Sequence, residues 1–218
     1  MISETSKVVS DANRFFDALI EGQLKLGQTI KQSELCDILG LSLSSLREVS
    51  VLLEAEGLIE VRKRMGVRIF YPDVSFVGNT FQYREVLECE GLRRFMDFSG
   101  RGWVEKTRKA HIDMIDFVRG VSDTEEYRIP LVAIEKDFHG TFIGAFSNEQ
   151  ISKNYDRAQQ KMYLFRLLNP ESVNIKNTVH SLNEHLDVID AIENQDVEAA
   201  VAALKSHFSG VLTRTLTT

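Results

Sequence analysis

Residues 40–69, GLSLSSLREVSVLLEAEGLIEVRKRMGVRI, constrain the fold more tightly than any other stretch of the chain. Ser33 stands ahead of Glu34-Leu35-Cys36-Asp37-Ile38-Leu39, a short helix with apolar residues at 35, 38 and 39. Gly40 then supplies the backbone freedom of a tight turn. Ser42 is the N-cap expected for a second helix from Leu43 to Glu56, on which Leu46, Val49, Leu52 and Leu53 form one apolar stripe. Gly57 closes that helix. Two β-rich runs follow, Leu58–Val61 and Val67–Tyr71, around Arg62-Lys63-Arg64-Met65-Gly66. Two short helices, a glycine turn and a basic hairpin predict a winged helix-turn-helix.

Such a unit points to double-stranded DNA. Ser44, Ser45 and Arg47 lie on the outer side of the second helix near its N-terminus, the end that enters the major groove in helix-turn-helix proteins. An arginine there can pair bidentately with guanine, whereas the hydroxyls of Ser33 and Ser42 and the cations of Arg62, Lys63 and Arg64, beside Gly66, suit phosphates. A merely solvated helix face would carry the same residues, and helix-turn-helix units also serve as protein-binding modules. The net charge of −6 excludes a general nucleic-acid coat. Positive charge is local, at the wing, and local charge suits docking at a defined site.

With 218 residues there is room for a second domain with its own core. Pro72, Asp73, Ser75, Gly78 and Asn79 mark a boundary, so the expected organisation is a winged unit over 1–73, a linker over 74–79 and a second domain over 80–218. After the boundary strand signals stop and six helices are expected, at about 80–98, 103–120, 124–146, 148–168, 173–193 and 196–215. The fold class is therefore mostly α: a winged helix-turn-helix with a small hairpin, then an all-α antiparallel bundle. Cys36 and Cys89 are isolated thiols, with no signal peptide and no apolar run of spanning length, which suits a reducing, cytoplasmic protein away from membranes.

In the bundle the histidines are spaced as a set. Glu135 and His139, four apart, project from one helix face. His185 and His207 lie eleven residues on either side of Asp196, so an antiparallel hairpin turning there puts them at one height. Three helices can thus aim a carboxylate and three imidazoles into one cavity, a donor set for zinc, with nickel or manganese as alternatives. Taken singly, each histidine also fits a hydrogen-bonded core position. His111 and His180 have no partner at comparable spacing and read as surface or rim residues. Phe81, Tyr83, Phe138, Phe142, Tyr155, Met162 and Tyr163 are candidate pocket walls, although aromatics at helical spacing also build cores.

The segment LKLGQTIKQSELCDILGLSLSSLREVSVLLEAEGLI resembles the DNA-binding domain of the GntR superfamily of bacterial transcription regulators, over about residues 8–72. Leu26 replaces the usual proline, and Leu43 stands where the family carries an arginine that contacts DNA. The second domain resembles the all-helical FCD effector domain of the FadR-type branch, through Arg84-Glu85-Val86-Leu87-Glu88, Glu135-Lys136-Asp137-Phe138-His139, the run from Glu184-His185 to Ala191-Ile192, and His207. Six helices look closest to the VanR-like subgroup. The resemblance implies a homodimeric repressor on a palindromic operator. It also implies a divalent metal held by Glu135, His139, His185 and His207, and a small carboxylate effector reaching both that metal and Arg84. Glu135 stands where the family usually has aspartate. A metal-dependent hydrolase that keeps a winged helix as an accessory would show the same donor set.

Overall fold

Three helices and a three-stranded antiparallel sheet build the N-terminal unit: α1 (Glu4–Ile20), β1 (Thr29–Ile30), α2 (Gln32–Leu39), α3 (Leu43–Ala55), β2 (Ile59–Arg62) and β3 (Gly66–Ile69). The computed structural model describes residues 4–98, 101–168 and 173–217. The chain divides into two compact units between Asp73 and Val74. Phe15, Leu35, Leu46, Val49, Leu53, Val67 and Ile69 are buried and form the core over which the three helices meet the sheet. Gly40 takes the left-handed conformation, φ 61°, and its N–H closes α2 on the carbonyls of Cys36 and Asp37. Ser42 caps α3, its Oγ accepting the Ser45 N–H at 3.1 Å.

Ser33 does not stand ahead of α2. It lies exposed in the first turn, and the N-cap is Lys31, which makes no side-chain cap bond. The helix begins early because β1, which hydrophobic patterning over two residues cannot reveal, delivers the chain directly to Lys31, whose carbonyl accepts the Leu35 N–H. The sheet order is β1-β3-β2, with the β2–β3 hairpin as the wing. At the wing's return, Gly66 has φ 112°, and a Cβ there would lie 2.2 Å from the Ile30 carbonyl oxygen. Only glycine lets β1 lie this close to β3.

In the second unit the described residues form six helices: α4 (Val74–Met96), α5 (Arg101–Gly120), α6 (Thr124–Gly144), α7 (Glu149–Leu168), α8 (Ile175–Glu193) and α9 (Val197–Thr217). Residues 74–79, expected as a linker, are the opening turns of α4, because buried Val77 starts the stripe that continues through Phe81 and Arg84. The α8–α9 hairpin turns at Asn194-Gln195-Asp196, where Asp196 Oδ1 accepts the Ala199 N–H at 3.0 Å. One core joins Phe81, Leu92, Phe138, Phe142, Val188, Ile192, Leu204 and Phe208 across α4, α6, α8 and α9. Arg108 on α5 ties itself to Asp190 and Glu193 on α8.

The approach of α4 to α6 positions the chemistry described below. Gly91 permits it: a Cβ at this position would sit 2.2 Å from the Phe142 carbonyl oxygen. Gly91→Ala should therefore destabilise the second unit by about 1–3 kcal/mol through overpacking. Thermal melting of the variant checks this, and an unchanged midpoint would mean that α4 and α6 can separate freely.

Candidate metal centre

His139 on α6, His185 on α8 and His207 on α9 place ring nitrogens within 4.8 Å of one another, and all three side chains are buried. The tautomer of each ring follows from its outer neighbour. His111 on α5 bonds its Nδ1 to the Thr107 carbonyl at 2.8 Å, so that nitrogen carries the proton and its Nε2 is an acceptor. It accepts from His185 Nδ1 at 3.1 Å, leaving His185 Nε2 a bare lone pair. His207 Nδ1 donates to Glu184 Oε2 at 2.9 Å and His139 Nδ1 to Glu88 Oε2 at 2.5 Å. Three Nε2 lone pairs therefore face inward.

Two of them, on His185 and His207, lie 3.2 Å apart with no proton assigned between them, and the third, on His139, has no hydrogen-bond partner. Burial and the surrounding imidazoles of His207, His139 and His111 hold His185 well below the ordinary imidazole range, and burial lowers His207 too. Buried ring nitrogens whose lone pairs converge are a costly arrangement unless a cation is shared among them. The 3.2 Å separation is short enough that a single small divalent cation would be held by both nitrogens. The Glu135 carboxylate lies beside the three rings. Its oxygens lie 3.7 Å from His139 Nε2 and 3.9 Å from His185 Nε2, so the glutamate's extra methylene still brings the charge to the cluster.

Behind these donors stands a second row that fixes them. Glu88 on α4 is fully buried and bonds His139, Arg84 Nε (3.0 Å) and Tyr155 Oη (2.7 Å). Burial alone would raise its pKa, but the proximity of His139 and of the Arg84 guanidinium and the hydrogen bonds from His139 and Tyr155 hold it at about 2. Glu184, gripped by His207 and by both Nη atoms of Arg214 at 2.9 and 2.6 Å, is likewise held at about 2 against the effect of burial. The His185 ring stacks on Phe138, with centroids 4.1 Å apart.

His111 corrects the reading from sequence. It is no rim residue but is buried at 1% exposure, and it orients His185. His180 is exposed and pairs with Glu184 at 3.1 Å. Asp137 is exposed and lies away from the cluster. Arg84 is buried beside Glu135, with its Nη2 lacking any partner. It lines two cavities, one of about 40 Å³ toward α8 and α9 and one of about 730 Å³ between α6 and α7, and Glu135 and Arg166 line both. Tyr155, Met162 and Tyr163 face the larger cavity, whereas Phe81, Phe138 and Phe142 belong to the core. Lys136, Gln159 and Arg166 share the larger cavity's wall with Tyr155, Met162 and Tyr163. Glu88, Arg214 and Arg166 received no role from sequence.

In the winged unit Ser44 and Arg47 are exposed at the N-terminal end of α3, beside Leu43, and Ser45 is half-buried. The Ser42 hydroxyl bonds those of Ser44 and Ser45. Lys63 and Arg64 are exposed at the wing tip, Arg64 at φ 68°, while Arg62 pairs with Glu60 at 2.9 Å.

Residues 13–69 match the profile of the bacterial regulatory proteins of the gntR family, and residues 79–210 match that of the FCD domain. The chain is 23% identical over 204 residues to the HTH-type transcriptional regulator YdhC of Bacillus subtilis (strain 168), covering 90% of this chain and 85% of that protein. Among solved structures, E. coli McbR/YncC has the same fold at 13% identity, with a TM-score of 0.72 over 97% of each chain. The metal-free FCD domain of TM0439 aligns at 25% identity and a TM-score of 0.53, over 66% of this chain and 94% of that one. No described helix is long and apolar enough to cross a membrane.

Removing a converging ring should cost more than removing its supporter. His139→Ala, His185→Ala and His207→Ala should each lose stoichiometric zinc on dialysis, whereas His111→Ala should retain the site with about 10–100-fold weaker affinity, since His185 would lose its orienting bond. Competition with a chelating dye measures both. Wild-type affinity in His111→Ala would show that the bond to His185 does not bear on the metal.

Proposed function

Because the chain belongs to the GntR family of bacterial regulatory proteins and carries its FCD domain, we propose that it is a metabolite-responsive repressor, binding a palindromic operator as a homodimer and releasing it when a small organic acid enters the helical unit. The supporting observation is a pair of buried atoms with opposite needs in one place. His139 Nε2 is a lone pair without a donor and Arg84 Nη2 is a donor without an acceptor. A divalent metal on Glu135, His139, His185 and His207 answers the first, and zinc suits this donor set. It would supply a positive centre able to receive a carboxylate oxygen. The free Nη2 of Arg84 offers a charge-assisted hydrogen bond to the same carboxylate. The families and relatives are transcriptional regulators, so the hydrolase alternative is set aside.

On the DNA side Arg47 would contact bases, and Ser33, Ser42, Ser44, Ser45, Arg62, Lys63 and Arg64 would contact phosphates. Arg62 is the weakest of these, being already paired to Glu60. Gly66 shapes the wing. With Leu43 in place of a cation, Arg47 is the positive side chain on the exposed N-terminal turns of α3. Ligand can shift operator affinity only by its differential affinity for two arrangements of the protein, typically about 1–3 kcal/mol. Arg84 sits on α4, the helix that follows the winged unit directly in the chain, so an acid held there bears on the element through which the two units are joined.

Two measurements test the halves separately. Arg47→Ala should cost about 1–3 kcal/mol on the operator and much less on random DNA. Equal losses on both in a gel-shift titration would reduce Arg47 to a phosphate contact. For the effector, Arg84→Ala is a poor probe, because it strands the buried Glu88 carboxylate and should itself destabilise by about 3–5 kcal/mol. Arg84→Lys keeps a cation beside Glu88 but removes the guanidinium fork. It should retain metal and operator binding while needing at least about tenfold more acid for release. A release curve unchanged from wild type would place the carboxylate elsewhere.

A further inference from the structure

The larger cavity contains a second arginine that the metal and a ligand carboxylate on Arg84 leave unused. Arg166 on α7 lines it together with Arg84 and Glu135, and its guanidinium approaches an anion at Glu135, Nη2 to Oε2 at 3.8 Å, too long for a direct hydrogen bond. Glu135 is also the carboxylate turned toward the imidazole cluster. Glu88 is already bonded to Arg84, His139 and Tyr155, and Glu184 is matched by Arg214. Among the described residues lining the cavity, no other buried acid balances Arg166. Lys136, Asp137 and Asp156 at the cavity mouth are exposed, where water screens them.

Charge balance gives the same answer. With a divalent cation among the imidazoles, Arg84 and the partly exposed Arg166 bring the positive charge around the cavity to four, and Glu88 and Glu135 offset two of these. The remaining two call for a dianion, since uncompensated charge in a cavity walled by protein is costly. Resting on the effector reading above, we infer that the ligand is a two-headed acid, with one carboxylate on the metal and Arg84 and the second on Arg166. Arginine's planar fork suits this, and the cavity of about 730 Å³ has room for the carbon chain between the two heads. Gln159, whose Nε2 donates to Tyr155 Oη at 2.7 Å, lines the same wall and could take hydroxyls along that chain.

The test is isothermal titration of the zinc-loaded full chain with acids matched in carbon number, succinate against butyrate and adipate against hexanoate, with zinc content measured after each run. At least one diacid should bind about 10–100-fold more tightly than its monoacid, the worth of one further charge-assisted contact. Arg166→Gln should abolish that preference by weakening the diacid while leaving the monoacid unchanged. A monoacid that binds through Arg84 with no diacid preference overturns the inference and leaves the effector reading standing. A preference that survives in Arg166→Gln overturns the assignment of Arg166. If no acid of either kind binds, the effector reading fails with it.

Discussion

The buried carboxylate of Glu88 is the constraint on which the helical unit depends. It has no exposure to water, and three partners from three helices close on it: Arg84 from its own α4, His139 from α6 and Tyr155 from α7. A lone buried carboxylate would shift its pKa upward and take a proton; this one remains charged because each partner is a donor. Its charge then determines two further things. It fixes the proton of His139 on Nδ1, which turns Nε2 inward as a lone pair, and it holds Arg84 by Nε, which leaves Nη2 directed elsewhere. One interaction thus prepares a nitrogen for a cation and a nitrogen for an anion.

The winged unit is held by different means. Its core is aliphatic and aromatic, and its polar bonds are short-range devices that set chain direction: Ser42 capping α3, Gly40 reversing after α2, Glu54 Oε1 accepting the Val61 N–H to join α3 to β2. Among its described residues there is no counterpart to the fully buried ionic network of the second unit. That division suits a surface whose cations must remain available to phosphates, since a cation already held by a carboxylate, as Arg62 is by Glu60, has less to offer a partner.

The sequence made much of this legible where periodicity and capping act over a few residues. Ser42 and Asp196 cap where their spacing to an apolar run says they should, and the equal distances of His185 and His207 from Asp196 do bring their rings together. His111 and Glu88 were misread for one cause, that the partner was on another helix. His111 lies on the stripe formed by Val104, Met114, Ile115 and Val118, a signal of burial present in the sequence, but nothing in the sequence says that α5 packs on α8 at His185. Glu88 was visible in the motif, yet its role depends on α4 approaching α6 through Gly91. Gly78 and Asn79 read as linker residues because their composition outweighed Val77, the single buried residue that carries the stripe back toward Val74.

The two arginines of the larger cavity differ in how much order they already possess, and this bears on where a response to ligand can arise. Arg84 is buried and bonded to Glu88, so its side-chain entropy is lost on folding and an acid meeting its Nη2 finds it oriented. Arg166 is partly exposed at 28% and stands 3.8 Å from Glu135. An acid spanning both would therefore place its ordering cost on α7 rather than on α4. Population shift requires that a ligand distinguish between states, and a group whose position is the same in both cannot do so. On the proposed reading Arg84 supplies affinity, and the discrimination falls to the end that is loosely held. The helix to watch when ligand enters is then α7, which packs on α6 and on α4, the helix that continues the chain from the winged unit.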